Sequence, residues 1–302
     1  MRIGFIGLGN LGRCLAASLL RAGFPLTVSD RDEAAAESLV QAGAAWAASP
    51  REVAQASDTV FTCLPSPAVV AEVLTGEEGI LAGLAPGGTW IDSSTNDRHE
   101  LQRLARVVHA LGARCLEAPV TGGVHLAAAG RITVLVGGAE DVFAEHRRVF
   151  EAIGEKVFHV GPLGSASALK VITNMLAFTH LVATGEALML ARRAGLDLAQ
   201  SFEAIEASSG TSFVHETEGR VILNGSYDIG FTLDLACKDL GFALELGDEV
   251  GVPLELAALV QQSFLRAREA YGGSAWSPMV VKLLEDALGT DLRAPGFPAR
   301  IV

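Results

Sequence analysis

The chain contains 302 residues, of which 50% are hydrophobic, and it includes 33 glycines and 11 prolines. This composition is too apolar for a disordered chain, and glycine without a triplet period excludes a collagen-like protein. Acidic residues outnumber basic residues by 35 to 23, and the formal net charge of −12 leaves no basic footprint for a nucleic-acid partner.

The first half of the chain alternates short apolar runs with amphipathic stretches. The apolar runs predict strands at residues 2–6, 26–29, 59–63, 89–91, 114–117 and 133–136. The amphipathic stretches predict helices at residues 11–22, 33–42, 50–56, 67–74 and 99–111. Such alternation is typical of βαβ units, so we expect a Rossmann-type, doubly wound, mainly parallel sheet.

In the second half the helical period dominates from about residue 165 onward. It predicts helices at residues 167–194, 198–207, 235–250, 254–271 and 279–286. The first of these exceeds the average of about 12 residues, which indicates a helix shared between two domains. We therefore expect an α/β chain with a dinucleotide-binding domain at residues 1–163 and an all-α domain at residues 164–302. Two prolines in residues 289–302 predict an irregular tail.

The cysteines and the apolar segments bear on the cellular compartment. The four cysteines lie far apart and form no CxxC, which favours reduced thiols in a cytoplasmic protein without a metal site. Polar residues interrupt each apolar stretch before the ~20 residues that a membrane span requires, so no membrane partner is expected. Because the first strand begins at residue 2, no cleavable leader is expected either.

A glycine fingerprint of the form G-x-G-x-x-G follows the first predicted strand and opens the first predicted helix. It consists of Gly7, Leu8, Gly9, Asn10, Leu11 and Gly12. In that context the glycines allow a tight turn, close approach of a pyrophosphate and close packing of helix on strand. Asp30 ends the second predicted strand, where a carboxylate can bind ribose hydroxyls and repel a 2′-phosphate. We therefore expect NAD, while the neighbouring Arg31 leaves NADP open.

Four segments together resemble the β-hydroxyacid dehydrogenase family, which includes 3-hydroxyisobutyrate dehydrogenases. They are residues 4–12, residues 92–95 followed by 117–123, residues 164–174, and residues 238–240. Their order and spacing extend over nearly the whole chain, so the resemblance is specific for the family but not for the substrate.

Lys170 and Asn174 are separated by four residues and therefore share one face of the predicted long helix. Oxidation of an alcohol requires a base to accept the hydroxyl proton, and the reverse reaction requires an acid at the same place. A lysine serves both purposes if burial lowers its pKa toward the working pH. The resemblance implies that Lys170 is the catalytic acid/base and that Asn174 contacts the substrate.

A small hydroxyl side chain precedes two glycines at Thr121, Gly122 and Gly123. Backbone amides in such a loop can hold a carboxylate. The resemblance implies that this loop binds the acid group of a small hydroxyacid. Most relatives carry serine where Thr121 stands, and the added methyl group narrows the pocket. His125 follows closely and is the one histidine that could enter the cleft, but we favour a surface role.

The resemblance also implies roles for residues that the sequence pattern alone does not single out. It assigns contacts with the cofactor to Leu64, Pro65, Thr95 and Lys238. It assigns contacts with the substrate to Phe213 and Asp239, the latter pairing with or positioning polar groups. Many relatives carry a second asparagine where Thr173 stands. Thr173 keeps a hydroxyl but lacks the amide, so the positions of the hydrogen-bonding groups on the substrate stay open.

The resemblance implies an NAD(P)-dependent oxidoreductase that transfers hydride between nicotinamide and a small β-hydroxyacid. Candidate substrates include 3-hydroxyisobutyrate and the glycerate/tartronate semialdehyde pair, and relatives associate as homodimers or homotetramers through the helical domain. Two alternatives stay open. Imine reductases of the same superfamily usually replace the lysine by Asp or Tyr, and non-catalytic, cofactor-binding scaffold relatives lack it. Lys170 counts against both.

Overall fold

The computed structural model describes residues 1–301, which form two compact units. The first unit comprises Met1–Lys170, and the second begins at Val171. The two units differ in class, because the first contains all nine strands of the sheet and the second is helical within the described residues.

The first unit is built on one sheet. Its strands are β1 (Ile3–Ile6), β2 (Leu26–Ser29), β3 (Ala45–Trp46), β4 (Thr59–Thr62), β5 (Thr89–Asp92), β6 (Arg114–Glu117), β7 (Val120–Thr121), β8 (Ile132–Gly138) and β9 (Gly154–Gly161). The order is β3-β2-β1-β4-β5-β6-β8-β7, with β9 paired to β8. Strands β1 to β6 run parallel, β8 is antiparallel to β6 and β7, and β9 is parallel to β8. The strand order reverses between β1 and β4, which is where such sheets bind ligands.

Helices cover both faces of this sheet. They are α1 (Gly12–Arg21), α2 (Glu37–Gln41), α3 (Pro50–Ala56), α4 (Pro67–Thr75), α5 (Arg98–Ala110), α6 (Gly123–Ala128) and α7 (Glu140–Ile153). Ser49, Ser66 and Asp97 start three of them, each accepting a hydrogen bond from the amide three residues on. Alternation along the strands sends Phe61 to one hydrophobic cluster and its neighbour Val60 to the other.

The second unit packs helices around aromatic side chains. Its elements are α8 (Ser165–Arg193), which begins in the first unit, α9 (Leu198–Glu206), α10 (Phe213–Asn224), α11 (Leu233–Val250), α12 (Glu255–Tyr271) and α13 (Lys282–Leu288). Phe178, Phe202 and Phe264 are buried in its core, and the ring centroids of Phe178 and Phe264 are 5.2 Å apart. Residues 289–301 form no helix or strand, as predicted for the tail; residue 302 lies outside the described residues.

Helix α8 is 29 residues long. By length and composition it could cross a membrane, although polar residues were expected to interrupt every apolar stretch. Core helices of soluble proteins can share this length and composition. The polar residues of α8 include Lys170 and Asn174, both of which are buried within the protein.

The structure confirms the predicted α/β fold class with its all-helical C-terminal part. Several elements were nevertheless absent from the prediction, among them α7, α10, β7 and β9. Helix α10 contains Gly219, and a glycine weakens the helical pattern in the sequence. A Cβ at this position would lie 3.0 Å from Phe202 Cε2, so the glycine allows the helix to pack closely against that ring. Strand β9 has the sequence Gly-Glu-Lys-Val-Phe-His-Val-Gly, in which polar and apolar residues do not alternate regularly. The sequence therefore lacks the pattern that marks a strand.

Candidate active site

The glycine fingerprint forms the turn between β1 and α1. Gly7 has a φ of 96°, and a Cβ there would lie 2.4 Å from the carbonyl oxygen of Cys63. A Cβ on Gly12 would lie 1.9 Å from the carbonyl oxygen of Gly7, whereas one on Gly9 would meet no atom within 4 Å. The first and third glycines therefore allow the chain to pack on itself, and the second leaves open space beside the turn.

Asp30 is fixed beside this turn at the end of β2. Its Oδ2 accepts a hydrogen bond of 2.6 Å from the amide of Leu8, and its Oδ1 accepts one of 2.9 Å from the amide of Asp32. Arg31 is exposed. Apolar Leu11 stands at the N-cap of α1, so no polar side chain at that position occupies the amides of the first turn.

These features fit a dinucleotide. The open space at Gly9 would receive the pyrophosphate at the N-terminus of α1, and the oxygens of Asp30 retain lone pairs for ribose hydroxyls.

A buried carboxylate connects the end of β4 with the loop that follows β5. Asp92 is 1% exposed and accepts hydrogen bonds of 2.8 Å from Thr62 Oγ1 and from Asn96 Nδ2. Burial raises the pKa of Asp92, while its hydrogen bonds act in the opposite direction. Ser94 Oγ accepts a bond of 2.9 Å from the amide of Leu64, which ties this loop to the one that follows β4.

The other predicted cofactor contacts of the first unit lie on the same loops. Leu64 and Thr95 are half-buried, and Pro65 is exposed. Because the carboxyl ends of parallel strands meet at one edge of a sheet, these residues lie at the edge that also carries the glycine turn and Asp30.

The predicted carboxylate loop follows the short strand β7. Thr121 pairs with Thr133 of β8, and Gly122 and Gly123 have φ values of 123° and 86°. Two successive residues with positive φ are accessible to glycine at little cost, so the loop conformation depends on this pair.

Helix α6 begins at this loop and packs on α1, where Arg21 Nη2 donates a hydrogen bond of 3.4 Å to the carbonyl oxygen of Ala128. His125, for which a surface role was expected, is half-buried, and α6 brings its imidazole against the loop. A Cβ on Gly123 would lie 3.1 Å from His125 Nδ1, and burial lowers the pKa of the half-buried histidine.

A second buried carboxylate holds the start of α8. Glu117, at the end of β6, accepts hydrogen bonds from the amides of Gly164, Ala166 and Ser167 at 2.6, 2.9 and 3.0 Å. The hydroxyl of Ser167 donates to the same carboxylate. Burial raises the pKa of Glu117, and these donors oppose the shift. Lys170, one turn further along α8, is 8% exposed.

In the second unit a buried carboxylate connects two predicted site residues. Asp239 is fully buried and accepts a hydrogen bond of 2.6 Å from Asn174 Nδ2 at one oxygen. Its other oxygen accepts one of 2.7 Å from Lys238 Nζ, which lies 5.0 Å from the ring centroid of Phe242. Phe213 starts α10 and is 50% exposed.

The organising roles of Asp92 and Glu117 were not predicted, although both residues lie in segments that carry the family resemblance. The available signal was a carboxylate that directly follows apolar residues at the end of a strand, because a buried charge requires several hydrogen-bond partners. Within residues 1–301 no group of three or more His, Cys, Asp or Glu side chains could hold a metal ion.

Comparisons with known proteins agree with this geometry. Residues 2–161 match the family model of the NAD binding domain of 6-phosphogluconate dehydrogenase. Residues 164–284 match the model described as NAD-binding of NADP-dependent 3-hydroxyisobutyrate dehydrogenase.

Relatives and solved structures match over nearly the full length. The chain is 35% identical to 2-(hydroxymethyl)glutarate dehydrogenase of Eubacterium barkeri, with 97% of each chain covered. It is 35% identical to the mitochondrial 3-hydroxyisobutyrate dehydrogenase of Mus musculus, covering 94% of this chain and 87% of the relative. The crystal structure of a 3-hydroxyisobutyrate dehydrogenase from Salmonella typhimurium superposes with a TM-score of 0.88 at 32% identity, covering 94% of this chain and 99% of the other.

The nucleotide-binding sheet and these matches define an NAD(P)-dependent oxidoreductase that acts on the CH–OH group of a hydroxyacid. The chain belongs to the β-hydroxyacid dehydrogenase family. An imine reductase from Myxococcus stipitatus also superposes, with 20% identity and a TM-score of 0.63. A likeness at that level shows the fold alone.

Proposed function

We propose that the protein catalyses the reversible oxidation of a small β-hydroxyacid with Lys170 as the general acid/base. The observation that carries this proposal is the burial of Lys170 on a helix whose first turn is anchored by Glu117. Lys170 is the last residue of the compact unit that contains the nucleotide-binding sheet. In the oxidative direction the amine accepts the hydroxyl proton, and in the reductive direction the ammonium returns it.

The residues that would hold the cofactor lie mainly at the carboxyl edge of the sheet. The glycine turn would receive the pyrophosphate, Asp30 the ribose hydroxyls, and the loops with Leu64, Pro65 and Thr95 the nicotinamide half. Lys238 of the second unit is proposed to contact the cofactor as well. When bound, the nicotinamide supplies the hydride acceptor or donor. Because the Asp30 carboxylate repels a 2′-phosphate, we propose a preference for NAD over NADP.

The proposed substrates are 2-substituted 3-hydroxypropionates. The dehydrogenases named for 2-(hydroxymethyl)glutarate and 3-hydroxyisobutyrate both act, by name, on an acid whose α-carbon carries a hydroxymethyl group. Glycerate has the same arrangement. The backbone of Gly122 and Gly123, with the Thr121 hydroxyl, would hold the shared carboxylate.

Residues of the second unit would orient and select the substrate. Asn174 lies one helical turn from Lys170, and Asp239 fixes the orientation of its amide by accepting from Nδ2. The amide oxygen of Asn174 can then accept a hydrogen bond from a substrate hydroxyl. Phe213 is proposed to limit the size of the group at the α-carbon.

Further expectations concern the context of the enzyme. We propose that residues 1–163 bind the cofactor and that residues 164–302 contribute to substrate binding and to a homodimer or homotetramer. The small hydroxyacid is the proposed partner, without nucleic acid or membrane, and the cytoplasm is the proposed location.

The deciding experiment is an initial-rate screen that follows reduced nicotinamide absorbance. It uses 2-substituted 3-hydroxypropionates with NAD and NADP, and the corresponding semialdehydes with the reduced cofactors. Lys170→Ala should lower turnover by at least about 100-fold, because general catalysis contributes about 10²–10⁴. Lys156→Ala, at an exposed lysine of β9, is the matched control and should retain normal turnover.

Near-normal turnover of Lys170→Ala would remove the proton-transfer role from this lysine. Binding of NADH to the wild-type protein without turnover of any hydroxyacid or semialdehyde would instead favour an imine reductase or a cofactor-binding scaffold. A higher kcat/KM with NADP than with NAD would contradict the proposed preference.

A further inference from the structure

The first turn of α8 has no acidic residue of its own. An anion is favourable at such a position, because the first amides of a helix lack intrahelical acceptors and carry a partial positive charge. In this protein the anion comes from Glu117, which is 47 residues earlier than Gly164 in the chain. The Glu117 carboxylate accepts hydrogen bonds from three backbone amides and one hydroxyl. These four bonds compensate for the cost of burying its charge.

We propose that Glu117 is a positioning residue for catalysis, which sets the register and rotation of the first turn of α8 and thereby the position of the Lys170 amine. This inference rests on the proposed acid/base role of Lys170. Glu117 itself is not proposed to touch the substrate or the cofactor.

The helical geometry connects the two residues closely. Ser167 and Ala166 precede Lys170 by three and four residues, so all three lie on one face of the helix. The rise between Ser167 and Lys170 is only about 4.5 Å at 1.5 Å per residue. A rotation or shift of the first turn therefore moves the Lys170 side chain by a similar amount, and misplacement by about 1 Å can cost 100-fold in rate.

The surroundings leave Glu117 little freedom to move. A Cβ on Gly137 would lie 2.2 Å from Glu117 Oε1, so the glycine provides the space that the carboxylate fills. Gln102 Nε2 donates a hydrogen bond of 2.9 Å to the carbonyl oxygen of Leu163, which anchors the residue immediately before Gly164. The start of α8 is thus held at two consecutive residues by side chains from α5 and β6.

The charge of Glu117 provides a second link to Lys170. A nearby anion favours the protonated form of a lysine, and the partial positive charge at a helix N-terminus disfavours it. Titratable groups close to Glu117 include Cys115 on the same strand and Asp92, its register partner on β5. Neutralising Glu117 should therefore move the acidic limb of the kcat/KM profile for oxidation to lower pH, by about 0.5–1 unit.

The test compares Glu117→Gln with Glu117→Asp and Ser167→Ala. Glu117→Gln removes the charge and places an amide donor against backbone donors, and we expect kcat to fall about 10–100-fold with the KM for the hydroxyacid changed less than threefold. The dissociation constant of NADH should stay within about twofold, because the glycine turn is not altered. Glu117→Asp keeps the charge and should recover part of kcat and the wild-type pH limb.

Asp92→Asn is the matched control, because it neutralises the neighbouring buried carboxylate. Asp92 organises the loops near the proposed cofactor site, so this variant should weaken NADH binding, which Glu117→Gln should leave intact. If Glu117→Gln does not fold, Ser167→Ala removes one donor from the same carboxylate and should lower kcat about 2–5-fold with the same unchanged binding of NADH.

A double-mutant cycle with Lys170→Ala separates the two proposals. Without the amine, Glu117→Gln should lower the residual turnover by less than about twofold. An equal loss in both backgrounds, or an unchanged kcat in the single variant, would overturn the positioning role. Near-normal turnover of Lys170→Ala alone would instead overturn the acid/base assignment of the proposed function.

Discussion

The two units of this dehydrogenase fix their functional groups by different means. In the first unit, Asp30 accepts a hydrogen bond from the amide of Leu8 and Glu117 accepts them from the start of α8, although Asp92 is also held by the side chains of Thr62 and Asn96. In the second unit, side chains hold one another, as Asn174 and Lys238 both donate to Asp239. The first arrangement positions the chain itself, and the second positions the tips of side chains.

This difference affects how each unit responds to substitution. A backbone-based site depends on conformations and close approaches that only particular residues permit. A side-chain network depends on complementary donors and acceptors in a buried space, where an unsatisfied group is costly. Paired substitutions in each unit test whether the two regions differ in this way.

The largest effect is expected at the glycine turn of the first unit. Gly12→Ala places a Cβ 1.9 Å from the carbonyl oxygen of Gly7, a backbone atom that cannot move aside without distorting the turn. We expect the free energy of unfolding to fall by about 3 kcal/mol or more. The protein that still folds should bind NADH weakly, because the turn is distorted. Urea unfolding and NADH fluorescence titration measure both quantities.

Gly9→Ala is the matched control, because a Cβ there meets nothing within 4 Å. Its stability should stay within about 0.5 kcal/mol of the wild type, while NADH binds about 10-fold more weakly, since the methyl group occupies the proposed pyrophosphate space. If both variants were equally stable, the turn would not depend on close backbone packing.

A smaller but clear effect is expected from the side-chain network of the second unit. Asp239→Asn keeps the shape of the side chain but removes the charge that faces Lys238 and Asn174. The free energy of unfolding should fall by about 2–3 kcal/mol, because the hydrogen bonds from Asn174 and Lys238 to a buried, charged carboxylate are lost. Urea unfolding followed by circular dichroism measures the change.

Asp234→Asn tests the same substitution on an exposed carboxylate of α11 and should change stability by less than about 0.5 kcal/mol. Equal effects of the two substitutions would mean that the Asp239 network does not stabilise the helical unit.

The same contrast explains what could be predicted from the sequence. Glycine spacing and strand alternation depend on local conformational preferences, so local patterns alone predicted the Rossmann-type sheet and the turn at residues 7–12. Helix α8 was predicted with bounds within two residues of those observed, since its helical period continues without proline. Helix α7 was missed although its buried positions include Val142, His146, Val149 and Ile153, which follow a helical period.

The long-range partners could not be predicted in that way. Nothing local to Glu117 indicates that its acceptors face amides of residues 164–167, and nothing local to Asp239 indicates Asn174, 65 residues away. Such pairs are created by the fold, and a single sequence carries only the weak signal of a charged residue in an apolar segment. Asp92 and Glu117 gave that signal, while the family resemblance directed attention to Lys170 and the glycine pair.

The smallest predicted effect concerns Glu218, whose carboxyl pKa is raised by burial, as is that of Glu117. Glu117 has four donors, whereas Glu218 on α10 has a pKa raised to about 7, mainly by burial, with the hydroxyl of Thr217 donating to it. The folded protein therefore holds a proton on Glu218 between about pH 4.5 and pH 7 that the unfolded chain has released. Because the folded state binds more protons there, stability is lost as the pH rises through this window.

Glu218→Gln should remove that loss, so its stability relative to wild type should rise by on the order of 1–2 kcal/mol from pH 5 to pH 8. Urea unfolding at the two pH values measures the difference, and a constant offset would show that Glu218 is ionised in the folded helical unit throughout.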